Sequence, residues 1–460
     1  MKYRYMMSGG YGKVFVDENS SVVCKKVPKV SHGRSPGQSP NQSPRLLPSY
    51  TTIIELALLS SFQAVPGMPR LKGIDAEEKT IAIYMKHHGD TLSKWIKTFA
   101  NPANINIWGM TILRQLIVTL LHLESAGIIH TDIKPYNVLV DPNSLATTLI
   151  DFGCVSINQC VYTPRGTMGH TDSIGTFHYA APEMIWGNTP THKSPVWSLA
   201  LLTCTLFASY PISKELTHDE NGVWRCTRRE WRDVMKAARL GGTSLVLPRR
   251  VAAIIDGHPE LAPWVYGALS WDAAHRPSLA EVAGYVLGGG VGASLKMPLP
   301  IYERQVDVRH MPADVRQHWI ECYYSIALDT HLESHFAGAV YLLDAAGGVC
   351  RGPMPCPVET WTAACWVLVG MLHNHVFLED AHHVERIQAT FGANVVKVAD
   401  AIWCVGEQLA WRLYTRPLDV ILLQDYGLSL ALIELRDMFI GLDRPWSPSA
   451  LAASRALLPS

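Results

Sequence analysis

The stretch His130-Thr131-Asp132-Ile133-Lys134-Pro135-Tyr136-Asn137 decides how this chain is read. It sets a carboxylate, a cation two residues on and an amide five residues on along one short segment. An Asp so placed can receive the proton of an attacking hydroxyl. The Lys can steady a phosphate in transfer, and the Asn can help hold a metal ion. Fourteen residues beyond Asn137 comes Asp151-Phe152-Gly153, a second metal-binding element. The two segments, in this order and at this distance, imply phosphoryl transfer assisted by a divalent cation.

Working outward, Ser8-Gly9-Gly10-Tyr11-Gly12-Lys13-Val14 lies on the first strand–turn–strand. Glycines there let backbone amides approach nucleotide phosphates. A hairpin is expected from Lys13-Val14-Phe15-Val16, a turn at Asp17 to Ser20, and Val22-Val23-Cys24-Lys25. Lys25 and Lys26 both end that second strand, and alternation sends them to opposite faces, so only one can reach a phosphate. Glu55 is the single acid in an apolar helix expected at about 50–62. A lone carboxylate in such a helix is costly unless paired, and Lys25 is its expected partner. Further on, Gly175-Thr176-Phe177-His178-Tyr179-Ala180-Ala181-Pro182-Glu183 resembles the end of a kinase activation segment and places an acid that needs a buried cation; the resemblance implies Arg276, in Trp271 to Pro277, as that cation.

Taken in order, these motifs resemble a protein kinase over about residues 5–287. The resemblance implies a two-lobed α+β fold, ATP and Mg²⁺ as cofactors, and protein substrates. It implies Asp132 and Lys134 as catalytic residues and Asn137 and Asp151 as metal ligands. It implies an ATP site made by Gly9, Gly10, Gly12, Val14, Lys25, Glu55 and Met85. Lys25 is preferred to Lys26 because a second basic residue commonly follows the functional one in this family. Thr176 and Lys134 resemble the serine/threonine class.

Three positions depart from the pattern. Met7 replaces the first glycine of the usual triplet, and Thr131 stands where most kinases carry an Arg that grips a phosphate on the activation loop. Pro195 replaces an Asp that normally braces the catalytic loop. Ser194 and Pro195 still make a sound N-cap and first helical position. These departures leave a second reading open, a catalytically weak scaffold that recruits partners through its helical domain.

The 460 residues are 48% apolar, and forty basic residues balance forty acidic ones. That balance gives no electrostatic case for nucleic acid or anionic lipid. No apolar run reaches membrane-spanning length, and ten scattered cysteines without a secretory signal point to a reducing intracellular compartment, nucleus or cytoplasm. Residues 31–48 are polar and Pro-rich, with Ser-Pro steps at Ser35, Ser39 and Ser43, and read as a loop.

The helix Pro48-Ser49-Tyr50-Thr51-Thr52-Ile53-Ile54-Glu55-Leu56-Ala57-Leu58-Leu59 resembles the PSTAIRE helix of cyclin-dependent kinases, with one residue inserted and Ile54 in place of Arg. A Gly-rich linker is placed at 288–300, and an all-α domain follows at 301–442. Its helices are expected at about 313–328, 332–345, 358–376, 379–391, 393–413 and 417–440. Four stretches there resemble a cyclin box: Arg316 to Ile320, His335 to Asp344, Trp361 to Leu368 as a central helix, and Arg416 to Leu422. The Lys that cyclins use to grip the kinase helix would fall near Met371 and is absent. The resemblance implies an intramolecular contact between kinase and cyclin-like domain that activates the chain in cis. The short stretch before the glycine loop and the catalytic loop without Arg also resemble kinases encoded by herpesviruses, which would place the chain in a host cell.

Overall fold

The structure is a computed structural model. It describes residues 3–9, 12–17, 19, 21–31, 46–47, 49–99, 104–157, 177–187, 190–209, 228–288, 311–330, 333–349, 356–373, 381–413 and 432–441. The Ser-Pro steps, all of the 288–300 segment except Gly288, Gly175-Thr176 and the Arg416 to Leu422 stretch lie outside the described residues. The chain forms two compact units. The first comprises Met1–Val27, Gln63–Asp75 and Ala82–Met297; the second comprises Pro28–Phe62, Ala76–Ile81 and Pro298–Ser460.

The first unit is mixed α+β. Its sheet begins with β1 (Tyr3–Gly9), β2 (Gly12–Asp17) and β3 (Val22–Pro28), followed in spatial order by the strands Thr80–Lys86 and Leu71–Ala76. β1 and β2 run antiparallel, with Gly9 opposite Gly12. Gly12 is required there, since a Cβ would lie 2.5 Å from the Lys26 carbonyl oxygen of β3. Asp17 closes the second turn by accepting from Ser21 N at 2.7 Å and Val22 N at 3.0 Å. Those backbone amides, with the Ser21 hydroxyl, hold its carboxyl below the usual range.

The helical part of this unit is organised on the helix Ile105–Ser125, whose Ile112, Leu113, Leu116, Ile117, Leu120 and Leu123 are buried. It packs against the helices Ser194–Ala208 and Leu279–Leu287. Arg114 Nε donates to the Val286 carbonyl at 3.0 Å, and a capping box of Ser278 and Glu281 starts the last of these helices. By length and composition the Ile105–Ser125 helix could cross a bilayer, which corrects the expectation that no apolar run is long enough. More than half of it is buried inside the unit instead.

The second unit holds α1 (Tyr50–Ser61), which Ser49 caps by accepting from Thr52 N at 3.2 Å. Thr52 through Ser60 are all buried, so the helix presents no solvated face over those residues. The other described helices are Ala313–Thr330, Glu333–Val349, Val358–His373, Ala381–Phe391, Val395–Gln408 and Leu432–Gly441. Val358–His373 is the hub. It packs against Glu333–Val349, Ala381–Phe391, Val395–Gln408 and α1, and its Trp361 and Trp366 are buried. Arg316 forks onto Asp344, Nε to Oδ1 and Nη2 to Oδ2 at 2.8 Å each, and Nη1 donates to the Phe439 carbonyl at 2.6 Å. A bidentate pair with both ions buried ties three helices of this unit together.

Candidate active site

The β2–β3 register sets Val14 opposite Lys25, so both project from one face of the sheet. Lys13 and Lys26 pair on the other face. Lys25 Nζ lies 3.5 Å from Asp151 Oδ1, with 13% and 22% of the two side chains exposed. The strand that carries Lys25 is thereby tied to the Asp-Phe-Gly turn. Met85 is partly exposed near the end of Thr80–Lys86, the strand next to β3. Gly10 lies outside the described residues.

Asp132, Lys134 and Asn137 form a polar network. Lys134 Nζ donates to Asp132 Oδ2 at 2.6 Å. Asn137 Nδ2 donates to the Asp132 carbonyl at 2.8 Å and to Asp132 Oδ2 at 2.9 Å. Those two donations use the amide nitrogen and leave Asn137 Oδ1 as the atom for a cation. The Asn137 carbonyl accepts from Ile150 N at 2.9 Å, which fixes the loop against the residue before Asp151. An amide oxygen and a carboxylate are the hard donors that Mg²⁺ prefers, so Asn137 and Asp151 fit such an ion.

Asp151 adopts φ +70°, a left-handed conformation that costs a non-glycine residue energy, although Asp tolerates it better than most. The chain on either side is held by residues 130 and 131. His130 Nε2 donates to the Ile150 carbonyl at 3.2 Å, and its Nδ1 accepts from Asp132 N at 3.3 Å. This pattern assigns the neutral Nε2–H tautomer. Burial, which outweighs the nearby Asp132 carboxylate, pushes the imidazole below its ordinary value and agrees with that assignment. The His130 ring meets Phe152 edge-on at 5.3 Å, and the Thr131 hydroxyl donates to the Cys154 carbonyl. The strands Ile128–His130 and Val155–Ile157 pair antiparallel just beyond, with His130 opposite Val155. These contacts brace the catalytic loop without the Asp that Pro195 replaces.

Glu183 meets Arg276 through two 2.8 Å hydrogen bonds, and the Arg276 side chain is fully buried. Burial alone would raise the Glu183 carboxyl, but the Arg276 guanidinium and the Ser194 hydroxyl outweigh it and hold the group below its ordinary value. Ser194 Oγ donates to Glu183 Oε1 at 2.5 Å. Ser194 is therefore not the N-cap. It is the first helical residue, Lys193 occupies the cap, and Pro195 follows at the second position.

Sequence reasoning missed Thr131 and Ser194 as hydrogen-bonding parts of the site. The partner of each is a chain segment distant in sequence, and no local signal marked it. Glu55 is 4% exposed and belongs to the second unit.

The protein kinase domain family matches residues 4–284, more than half of the chain, and the chain belongs to that family. It is similar to the serine/threonine-protein kinase mos of Patiria pectinifera, 28% identical over 201 residues, covering 42% of this chain and 52% of that protein. It is also similar to the cell division control protein 2 homolog D of Antirrhinum majus, 30% identical over 183 residues, with 36% and 55% covered. Cyclin-dependent kinase B2-1 of Arabidopsis thaliana is 29% identical over 173 residues, with 35% and 53% covered. The chain thus spans about half the length of these curated relatives.

Proposed function

We propose that the chain transfers the γ-phosphate of ATP to Ser or Thr hydroxyls of protein substrates, with Mg²⁺ held by Asn137 and Asp151. The carrying observation is the network that joins Lys134 and Asn137 to one Asp132 carboxylate at 2.6 and 2.9 Å. In this reading Asp132 accepts the hydroxyl proton and Lys134 steadies the phosphate in transfer. Lys25 holds the α- and β-phosphates, the backbone at Gly9, Gly10 and Gly12 approaches them, and Val14 and Met85 offer apolar surface to the base. The intact set of Lys25, Asp132, Asn137 and Asp151 favours catalysis over the scaffold reading.

The second part of the proposal is activation in cis. α1, which resembles the cyclin-binding helix of cyclin-dependent kinases, packs against Val358–His373. Lys29, just past β3, lies over the Trp403 ring at 5.9 Å from its centroid, and its Nζ donates to the Glu77 carbonyl at 2.7 Å. The Arg316–Asp344 pair joins two of the stretches that resemble a cyclin box. The chain's own helices would then hold α1 so that Glu55 seats against Lys25, without a separate subunit.

Ending the chain after Leu287 tests this part. A state that lies a few kcal/mol above another is populated at about 0.1–10%, so loss of the helical domain is expected to lower transfer about 10- to 1,000-fold. Stabilisation by ATP in a thermal melt reports whether the shortened chain still folds. Undiminished activity in a folded truncation would remove the cis model. Proline direction is a separate expectation. A Ser-Pro peptide should be phosphorylated faster than its Ser-Ala partner, and equal rates would end that expectation.

A further inference from the structure

We infer that Thr131 is a positioning residue: its hydroxyl locks the turn that carries Asp151 to the loop that carries Asp132. The inference rests on the kinase reading above and extends it to a residue that departs from the pattern. The ladder between Ile128–His130 and Val155–Ile157 ends at the pair His130–Val155. One residue further, Thr131 and Cys154 continue it through a side chain, the Thr131 hydroxyl donating to the Cys154 carbonyl. Asp132 follows Thr131 directly. Asp151 lies three residues before Cys154, across the turn Phe152–Cys154. The link therefore ties the backbone just before Asp132 to the backbone just after the Asp151 turn.

The need for a lock is visible in the backbone. Asp151 sits at φ +70° and holds that conformation only if both flanks are restrained. Ile150 on one side is held by His130 Nε2 at 3.2 Å and by the hydrogen bond from its own amide to the Asn137 carbonyl at 2.9 Å. Phe152 is held by the His130 ring. Thr131 holds the far side. A short, β-branched hydroxyl suits this task because its χ1 is stiff and it carries one donor. The lock is neutral and is built from the chain itself, so it requires no phosphate on the activation segment.

The test uses the full chain with Thr131→Val and Thr131→Ser. Valine keeps the branch and loses the donor; serine keeps the donor. Hydrogen exchange over residues 150–157 reads the lock without reference to activity, and steady-state kinetics read its consequence. T131V is expected to raise exchange in that segment and to lower kcat about fivefold, the worth of one neutral hydrogen bond, with KM for ATP nearly unchanged. T131S is expected to restore both. Exchange that is unchanged in T131V overturns the lock whatever the activity. Raised exchange with unaltered kcat overturns the positioning role. Equal impairment of T131S overturns the hydroxyl as the cause. A wild-type chain that shows the exchange difference but transfers no phosphate would count against the kinase reading and the positioning role, and not against the lock.

Discussion

Asp132→Asn is expected to lower kcat for phosphate transfer by about 10²–10⁴-fold, the range for loss of a positioned general base. Asparagine has nearly the same shape, so the backbone of the loop and the hydrogen bond from Asn137 Nδ2 to the carbonyl of residue 132 are retained. What disappears is the carboxylate on which Lys134 Nζ and Asn137 Nδ2 converge at 2.6 and 2.9 Å. An amide cannot take the hydroxyl proton, and Lys134 loses its charge partner inside a largely buried pocket. On the proposed reading ATP is held by the sheet and by Lys25, so stabilisation by ATP in a thermal melt is expected in both proteins. A rate within about threefold of wild type would remove Asp132 from the reacting centre.

Arg276→Met is expected to have the largest effect on stability. The guanidinium is fully buried and forks onto Glu183, while its Nε donates to the Ser270 carbonyl at 2.9 Å. Removing one partner of such a pair leaves a mostly buried charge without its counter-ion, which costs about 3–5 kcal/mol. For a unit of this size that is a fall in Tm on the order of 10 °C. The pH dependence has a definite sign. Glu183 in the wild type is held below its unfolded value, so its stabilisation is fully present above the ordinary carboxylate pKa and is lost as pH falls through the folded one. In the variant, burial acts without the guanidinium, and stability falls as pH rises. The difference between the two melts should therefore widen from about pH 4 toward neutrality. A constant difference, or none, would mean that the pair carries little of the fold.

The chemistry was legible in the sequence where its parts are local. Asp132, Lys134 and Asn137 sit within six residues, and their order and spacing match a kinase motif that singles them out together. The β2–β3 hairpin was legible from alternation and a polar turn, and its register separates Lys25 from Lys26. Arg276 was legible as the partner of Glu183 only through the resemblance to kinases, since 93 residues intervene. Other features needed the fold. Thr131 reads as a loss when only the missing Arg is considered; its gain depends on Cys154, 23 residues away. Ser194 reads as a cap by local rules, but Glu183 claims its hydroxyl and the helix start moves by one residue. The apolar character of α1 was plain, yet the helix it packs against lies some three hundred residues further along the chain. Arg316 and Asp344 were each within recognised stretches, and only the packing of their helices makes them a pair.

The proposed reaction is phosphate transfer to Ser or Thr hydroxyls through Asp132. Its most direct test is phosphosite mapping of a protein substrate after incubation with ATP and Mg²⁺, using the full chain and D132N side by side. Phosphate on Ser or Thr that depends on Asp132 is the predicted result. Phosphate confined to tyrosine, or an equal yield from both proteins, would contradict it.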